Sequence, residues 1–228
     1  MPLDINCDMG ELEDAAHEAA LMEHITSANI ACGGHAGNDH IMERTARLAM
    51  DRGVRIGAHP GYPDPANFGR IEIAMRPAEI AATVHQQIAR LDSIVHGLGG
   101  TIVHVKPHGA LYNVAVHNGE VARAIADGVA RWNPSTVVFG LAGSPMLEIW
   151  RAMGLNVWRE AFADRRYEPD GTLRSRKLPD ALITDPEEAA AQALRFATDG
   201  SADTICVHGD TPGAVEILRA CRNTLKSV

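Results

Sequence analysis

His104, Lys106 and His108 alternate with Val103 and Val105 in the stretch Val103-His104-Val105-Lys106-Pro107-His108-Gly109-Ala110-Leu111-Tyr112-Asn113. Side chains of a strand point to alternate faces, so the three basic groups share one side. Such groups suit proton transfer and the stabilisation of developing negative charge better than they suit packing. Pro107 cannot donate to a sheet ladder and Gly109 follows it, so the strand ends here, with Lys106 and His108 at its carboxyl end. That end carries the chemistry of parallel α/β sheets. Burying Lys106 requires a carboxylate or an anionic ligand, for which Asp8, Glu160, Asp164 and Asp210 are candidates.

Polar residues recur at the ends of other strand-like segments: Asn6 and Asp8, Asn29 and His35, His59, Glu160 and Asp164, His208 and Asp210. One such histidine is as readily a hydrogen-bonded core group, but the recurrence points to an active site. Asp8, His35 and His59 make one carboxylate and two imidazoles, a donor set that a hydrolytic divalent metal would accept. His208-Gly209-Asp210-Thr211-Pro212 joins a strand to a helix whose first amides lack partners, which favours an anion, with plain capping by Asp210 or Thr211 as the competing reading. Cys206 shares a phase with His208 and Asp210; packing is preferred there over a nucleophilic thiol, and Cys7 also reads as packing. His17, His24, His85, His96 and His117 fall in helical or loop regions and read as surface residues.

The elements that position these groups follow in order. Strands are expected at Leu3–Asp8, Ile25–Cys32, Val54–His59, the stretch above, Val137–Leu141, Val157–Asp164 and Thr204–Asp210. Helices are expected over about 11–24, 39–52, 77–98, 119–131, a short one from Ser144-Pro145 to Gly154, 185–198, and a last one through Leu225 capped by Thr211-Pro212. Seven strand-then-helix units imply parallel strands joined by right-handed crossovers. One domain over 1–228, a closed or nearly closed barrel of about seven strands, is the expected fold, with a doubly wound open sheet as runner-up. The 21 basic and 29 acidic residues give a net charge of -8, with no basic cluster interleaved with aromatics, which argues against nucleic acid. Four scattered cysteines and the absence of a leader or a roughly 20-residue apolar run argue for the cytoplasm and against a membrane. Neither a Walker phosphate loop nor a dinucleotide fingerprint occurs.

Asp4-Ile5-Asn6-Cys7-Asp8-Met9-Gly10-Glu11, Ser27-Ala28-Asn29-Ile30-Ala31-Cys32-Gly33, His35-Ala36-Gly37, Gly57-Ala58-His59-Pro60-Gly61-Tyr62-Pro63-Asp64, Phe68-Gly69-Arg70, the stretch around Lys106, Phe162-Ala163-Asp164-Arg165 and His208-Gly209-Asp210-Thr211-Pro212 together resemble the LamB/YcsF family. The resemblance implies a distorted barrel related to glycoside hydrolases and deacetylases. It also implies work with two further subunits, B and C, to open 5-oxo-L-proline to L-glutamate while ATP is hydrolysed. ATP enters as a co-substrate shared with those partners. The chain departs from the family in lacking a longer loop after Glu11, and in Gly34, Asn38 and Ile71. The expected roles are Asp8 or Asp210 as general base and Lys106 with His108 on developing oxygen charge. Arg70 is expected on the substrate carboxylate, and Asn6, Asn29, Tyr112, Asn113, His208 and Thr211 as further contacts to 5-oxoproline or a similar lactam. The alternatives are metal-dependent amide hydrolysis or deacetylation, and a non-catalytic binding role; a homo-oligomer stays open.

Overall fold

A computed structural model describes residues 3–226. Seven parallel strands close into a barrel in sequence order: β1 (Asp4–Met9), β2 (Ser27–Ala31), β3 (Arg55–His59), β4 (Ile102–Val105), β5 (Val137–Leu141), β6 (Asn156–Phe162) and β7 (Thr204–Cys206). β7 returns to β1 with Asp4 opposite Thr204 and Asn6 opposite Cys206, which excludes the open sheet. Around the barrel lie α1 (Ala15–Met22), α2 (Asp39–Asp51), α3 (Pro77–Gly97), α4 (Gly109–His117), α5 (Gly119–Trp132), α6 (Pro145–Ala152), α7 (Pro186–Thr198) and α8 (Ala214–Leu225). The apolar core fills the layer between sheet and helices, with Ile30, Met42, Ile88, Leu91, Ile125 and Trp150 fully buried. None of these helices is long and apolar enough to cross a membrane.

Several boundaries differ from expectation. Asp14 caps α1 by accepting from the amides of Ala16 and His17, so the helix starts there and residues 11–13 form a link rather than a first turn. β6 and β7 stop at Phe162 and Cys206, which frees Asp164 and His208 to meet across the mouth. α4, which the sequence does not announce, begins directly at Gly109, where φ is +54° and a Cβ would stand 2.7 Å from the Gly69 carbonyl oxygen. Only glycine allows that close approach, which seats the Phe68–Arg70 loop on the start of α4 through Ala110 N–H donating to Gly69 O at 2.9 Å. α8 starts at Ala214 with Gly213 as N-cap and no side-chain cap, so Thr211-Pro212 does not perform that role.

Candidate active site

The barrel interior is a column of polar side chains, built from the amino ends of the strands upward. At the bottom Asp4 is held by Thr26, Ser27, Thr204 and Arg55. Above it Asn6 Nδ2 donates to Thr204 Oγ1 at 2.8 Å, and Asn29 Nδ2 donates to Asn6 Oδ1 at 2.8 Å and Asp8 Oδ1 at 2.9 Å. His104 Nε2 donates to Asn29 Oδ1 at 2.8 Å, with its ring stacked on Phe139. Gly57 makes room for that ring, because a Cβ there would run into His104 Nε2. Burial pushes His104 down to about 3, so it is neutral. Asn6, Asn29 and His104 are sealed beneath the cavity and none borders it. The two asparagines, expected to touch substrate, instead hold Asp8 and Lys106 in position.

Lys106 forms the cavity floor, 2 % exposed. Its Nζ donates to Asp8 Oδ1 at 2.8 Å, and Glu160 Oε1 lies 3.0 Å away. Asn6 Oδ1 at 3.4 Å and Cys206 Sγ at 3.1 Å complete its surroundings. Burial alone would lower the amine's pKa, but Asp8 and Glu160 outweigh it and hold the pKa well above the ordinary lysine value. Burial would likewise raise Asp8, yet His59 and Lys106 hold it well below the carboxylate range. Lys106 is therefore a fixed cation beside a fixed anion. Burial raises the Cys206 thiol well above its ordinary value, so it is not a nucleophile.

Beside Asp8 a second cluster gathers Glu11, His35, His59 and His108. His59 Nδ1 donates to the Lys106 carbonyl at 2.7 Å and His108 Nε2 to the Phe68 carbonyl at 2.9 Å. Those two bonds fix the tautomers and leave the lone pairs of His59 Nε2 and His108 Nδ1 facing each other across 2.9 Å. Opposed lone pairs at that distance repel unless a proton or a cation lies between them. Burial lowers the pKa of both His108 and His35, the latter to about 4. Burial would raise Glu11, but the neighbouring His108 and His35 imidazoles outweigh that and hold it well below the ordinary carboxylate range. Glu11 Oε1 is 2.8 Å from His35 Nε2, 3.2 Å from His108 Nδ1 and 3.7 Å from His59 Nε2. Donors about 2.1 Å from a tetrahedral ion stand about 3.4 Å apart, so three imidazoles and one carboxylate at these spacings fit a divalent ion of zinc size. The expected set of Asp8, His35 and His59 is thus corrected: Glu11 and His108 join the two histidines. Asp8 stands next to the set, its Oδ2 3.3 Å from His59 Nε2, with its other oxygen committed to Lys106 and Asn29.

Across the mouth His208 Nδ1 lies 3.0 Å from Asp164 Oδ2, and the same carboxylate accepts the His208 backbone N–H at 2.9 Å and the Thr211 hydroxyl at 2.6 Å. Burial would raise Asp164, but His208 outweighs it and brings it to about 2. An ionised carboxylate on Nδ1–H turns His208 Nε2 outward as a proton acceptor. A cavity of about 480 Å³ opens above Asp8, His59, Lys106, His108 and His208, with Tyr112, Asn113 and Arg70 also on its wall. Asp210 does not border it. Arg70 and Arg176 both grip Asp210. Burial would raise its pKa, but Arg176, His208 and Arg70 outweigh burial and lower it, so a free general base is not found there. Thr211 spends its hydroxyl on Asp164 and so is not free to contact a ligand through it. His17, expected at the surface, is half-buried, with its Nε2 3.0 Å from the Gly209 carbonyl.

Glu11 and the Asp164–His208 pairing were not found from the sequence. The signal for Glu11 is Gly10, whose φ of +71° turns the chain inward after β1 while its amide donates to Glu18 Oε1. Asp164 and His208 stood in strand phases that pointed inward, but nothing in the spacing joined them.

Comparison with known proteins adds four findings. The profile of the LamB/YcsF family matches residues 3–228. The chain is 46 % identical over 242 residues to a Chloroflexus aggregans protein named as a 5-oxoprolinase subunit, covering 100 % of this chain and 96 % of that one. A Pyrococcus furiosus protein of the same name is 43 % identical over 246 residues, covering 99 % and 94 %. The crystal structure of a lactam utilization protein from Thermus thermophilus superimposes with a TM-score of 0.92 at 41 % identity, covering 100 % and 97 %.

Proposed function

The chain belongs to the LamB/YcsF family, and on that basis we propose that it carries the hydrolytic site of an ATP-dependent 5-oxoprolinase. The observation that carries this reading is Lys106, held protonated on the cavity floor beside Asp8 and facing His208. An unactivated five-membered lactam is a poor electrophile, so coupling to ATP makes chemical sense: a phosphoryl group on the amide oxygen turns the ring carbon into an acceptor for water. His208 Nε2 takes the proton as the water oxygen bonds to that carbon, and Asp164 stabilises the imidazolium. Lys106 balances charge on the amide oxygen. The carbon–nitrogen bond then breaks, the proton passes from His208 to the ring nitrogen, and attack of a second water releases phosphate and leaves glutamate. The absence of a phosphate loop agrees with ATP being bound largely by two partner subunits.

A divalent ion held by Glu11, His35, His59 and His108 is part of this proposal, supported by the facing lone pairs at 2.9 Å. Such an ion supplies Lewis acidity at the cavity wall. Purified chain is expected to carry about one transition-metal ion, lost in Glu11→Gln and His108→Ala. No stoichiometric metal in the unmodified chain removes this part alone.

The test of function is glutamate release from 5-oxoproline and ATP by this chain with its two partner subunits. Release is expected only when all three are present. Turnover unchanged by omitting this chain would refute the assignment and favour a non-catalytic binding role.

A further inference from the structure

Part of the cavity wall is basic: Arg70, Arg165, Arg174, Arg176 and Lys177 all border it. Three of these cations have carboxylate partners among the described residues. Arg70 and Arg176 share Asp210, and Arg174 pairs with Glu168 at 3.1 Å and Asp180 at 2.9 Å. Lys177 is exposed to water. Arg165 differs from all of them. It is only 5 % exposed, and among the described residues no carboxylate lies within ion-pairing distance of it. Its Nη2 donates to the Arg174 carbonyl at 2.6 Å, while its Nε is buried with no hydrogen-bond partner.

Burying a guanidinium without an anion is costly, and a buried donor left unmade adds to that cost. The fold nevertheless fixes Arg165 firmly. Gln192 Nε2 donates to its carbonyl at 2.8 Å, and Arg165 pairs with Leu182 in a short antiparallel bridge. An unpaired cation is thus held in place on the wall of the cavity that also contains Lys106 and His208. Planar guanidinium matches carboxylate geometry with two parallel bonds, which a lysine cannot reproduce.

We propose that Arg165 is the carboxylate-binding and specificity-determining residue of the site, taking the α-carboxylate of the cyclic amino-acid substrate in place of the expected Arg70. The proposal rests on the reading of the site as a 5-oxoprolinase. The same pair of anionic oxygens could come from a phosphate of ATP, and the experiment separates the two sources.

In the three-subunit complex, Arg165→Gln and Arg165→Lys are compared with unmodified chain for the Michaelis constants of both substrates, 5-oxoproline and ATP, and for turnover of 2-pyrrolidinone, a lactam without the carboxylate. Arg165→Gln is expected to raise the 5-oxoproline KM by about 10- to 100-fold, corresponding to about 1.4–2.8 kcal/mol, and to leave the ATP KM within about twofold. Arg165→Lys should fall between. The unmodified complex should prefer 5-oxoproline over 2-pyrrolidinone, and Arg165→Gln should largely abolish the preference. A rise in the ATP KM alone would place a phosphate there and overturn the proposal, as would unchanged kinetics in both variants. Should Arg165→Gln fail to fold, an Arg165→Lys complex with an unaltered 5-oxoproline KM would overturn it equally. Failure of the parent reading is distinct: the unmodified complex would then release no glutamate at all.

Discussion

Lys106 shows how far single residues could be read. That it would be buried, and that acids would surround it, followed from its place between two inward histidines before Pro107. Which acids they are did not follow, because Asp8 and Glu160 lie on strands distant in sequence and Asp210 turned out to serve two arginines. Lys106→Met keeps the volume but leaves two carboxylates buried without their cation, and should cost about 3–5 kcal/mol in urea unfolding. Adding Asp8→Asn and Glu160→Gln should recover part of that loss; a loss below about 1 kcal/mol in the single variant would show the trio to be unimportant for stability. His104 gives a pH dependence. With a folded pKa of about 3 against an unfolded value near 6.5, the unfolded state binds the extra proton first. Its contribution to stability is therefore full above about pH 6.5 and declines as pH falls toward about 3. His104→Gln, compared with unmodified chain in thermal melts from about pH 7 to about pH 4, should flatten that decline; parallel curves would contradict it.

Among the elements, the seven strands and the helix starting at Pro77 were legible because periodicity and proline placement are local. The link after β1 was not, since Glu11 sits among good helix formers and only the Asp14 cap moves the helix start past it. Helix α4 was hidden because Gly109 resembles a stop, when the close approach of Gly69 makes it a start. The Arg165 segment has the composition of a charged turn; it is anchored by Gln192 and by the Tyr167 hydroxyl, which accepts the Phe162 amide at 2.8 Å. Such long-range anchors leave no spacing to read. The β3–β4 pairing supplies a test, because Gly57 admits the His104 ring. Gly57→Ala should destabilise by about 1–3 kcal/mol through overpacking, and His104→Ser in the same chain should relieve most of it. Equal melting of Gly57→Ala and unmodified chain would show that the ring can move aside.

Across the whole molecule, closure of the barrel is what makes one site from scattered residues. Parallel strands in sequence order bring Asp8, His59, Lys106 and His208 to a single mouth, and the loops after β2, β3 and β6 add His35, Arg70 and Arg165 around it. The result is a cavity with an imidazole–carboxylate wall, a lysine floor and a basic cover, in a chain whose net charge is -8. The proposed substrate, an anionic cyclic amide, would place its charge on the basic wall and its amide on the lysine floor. Whether hydrolysis happens here, with His208 moving the proton, is measured directly by glutamate release from the three-subunit complex containing His208→Gln. The expected result is a kcat lower by about 10²- to 10⁴-fold with little change in the 5-oxoproline KM, and a kcat within about twofold of the unmodified complex would contradict it.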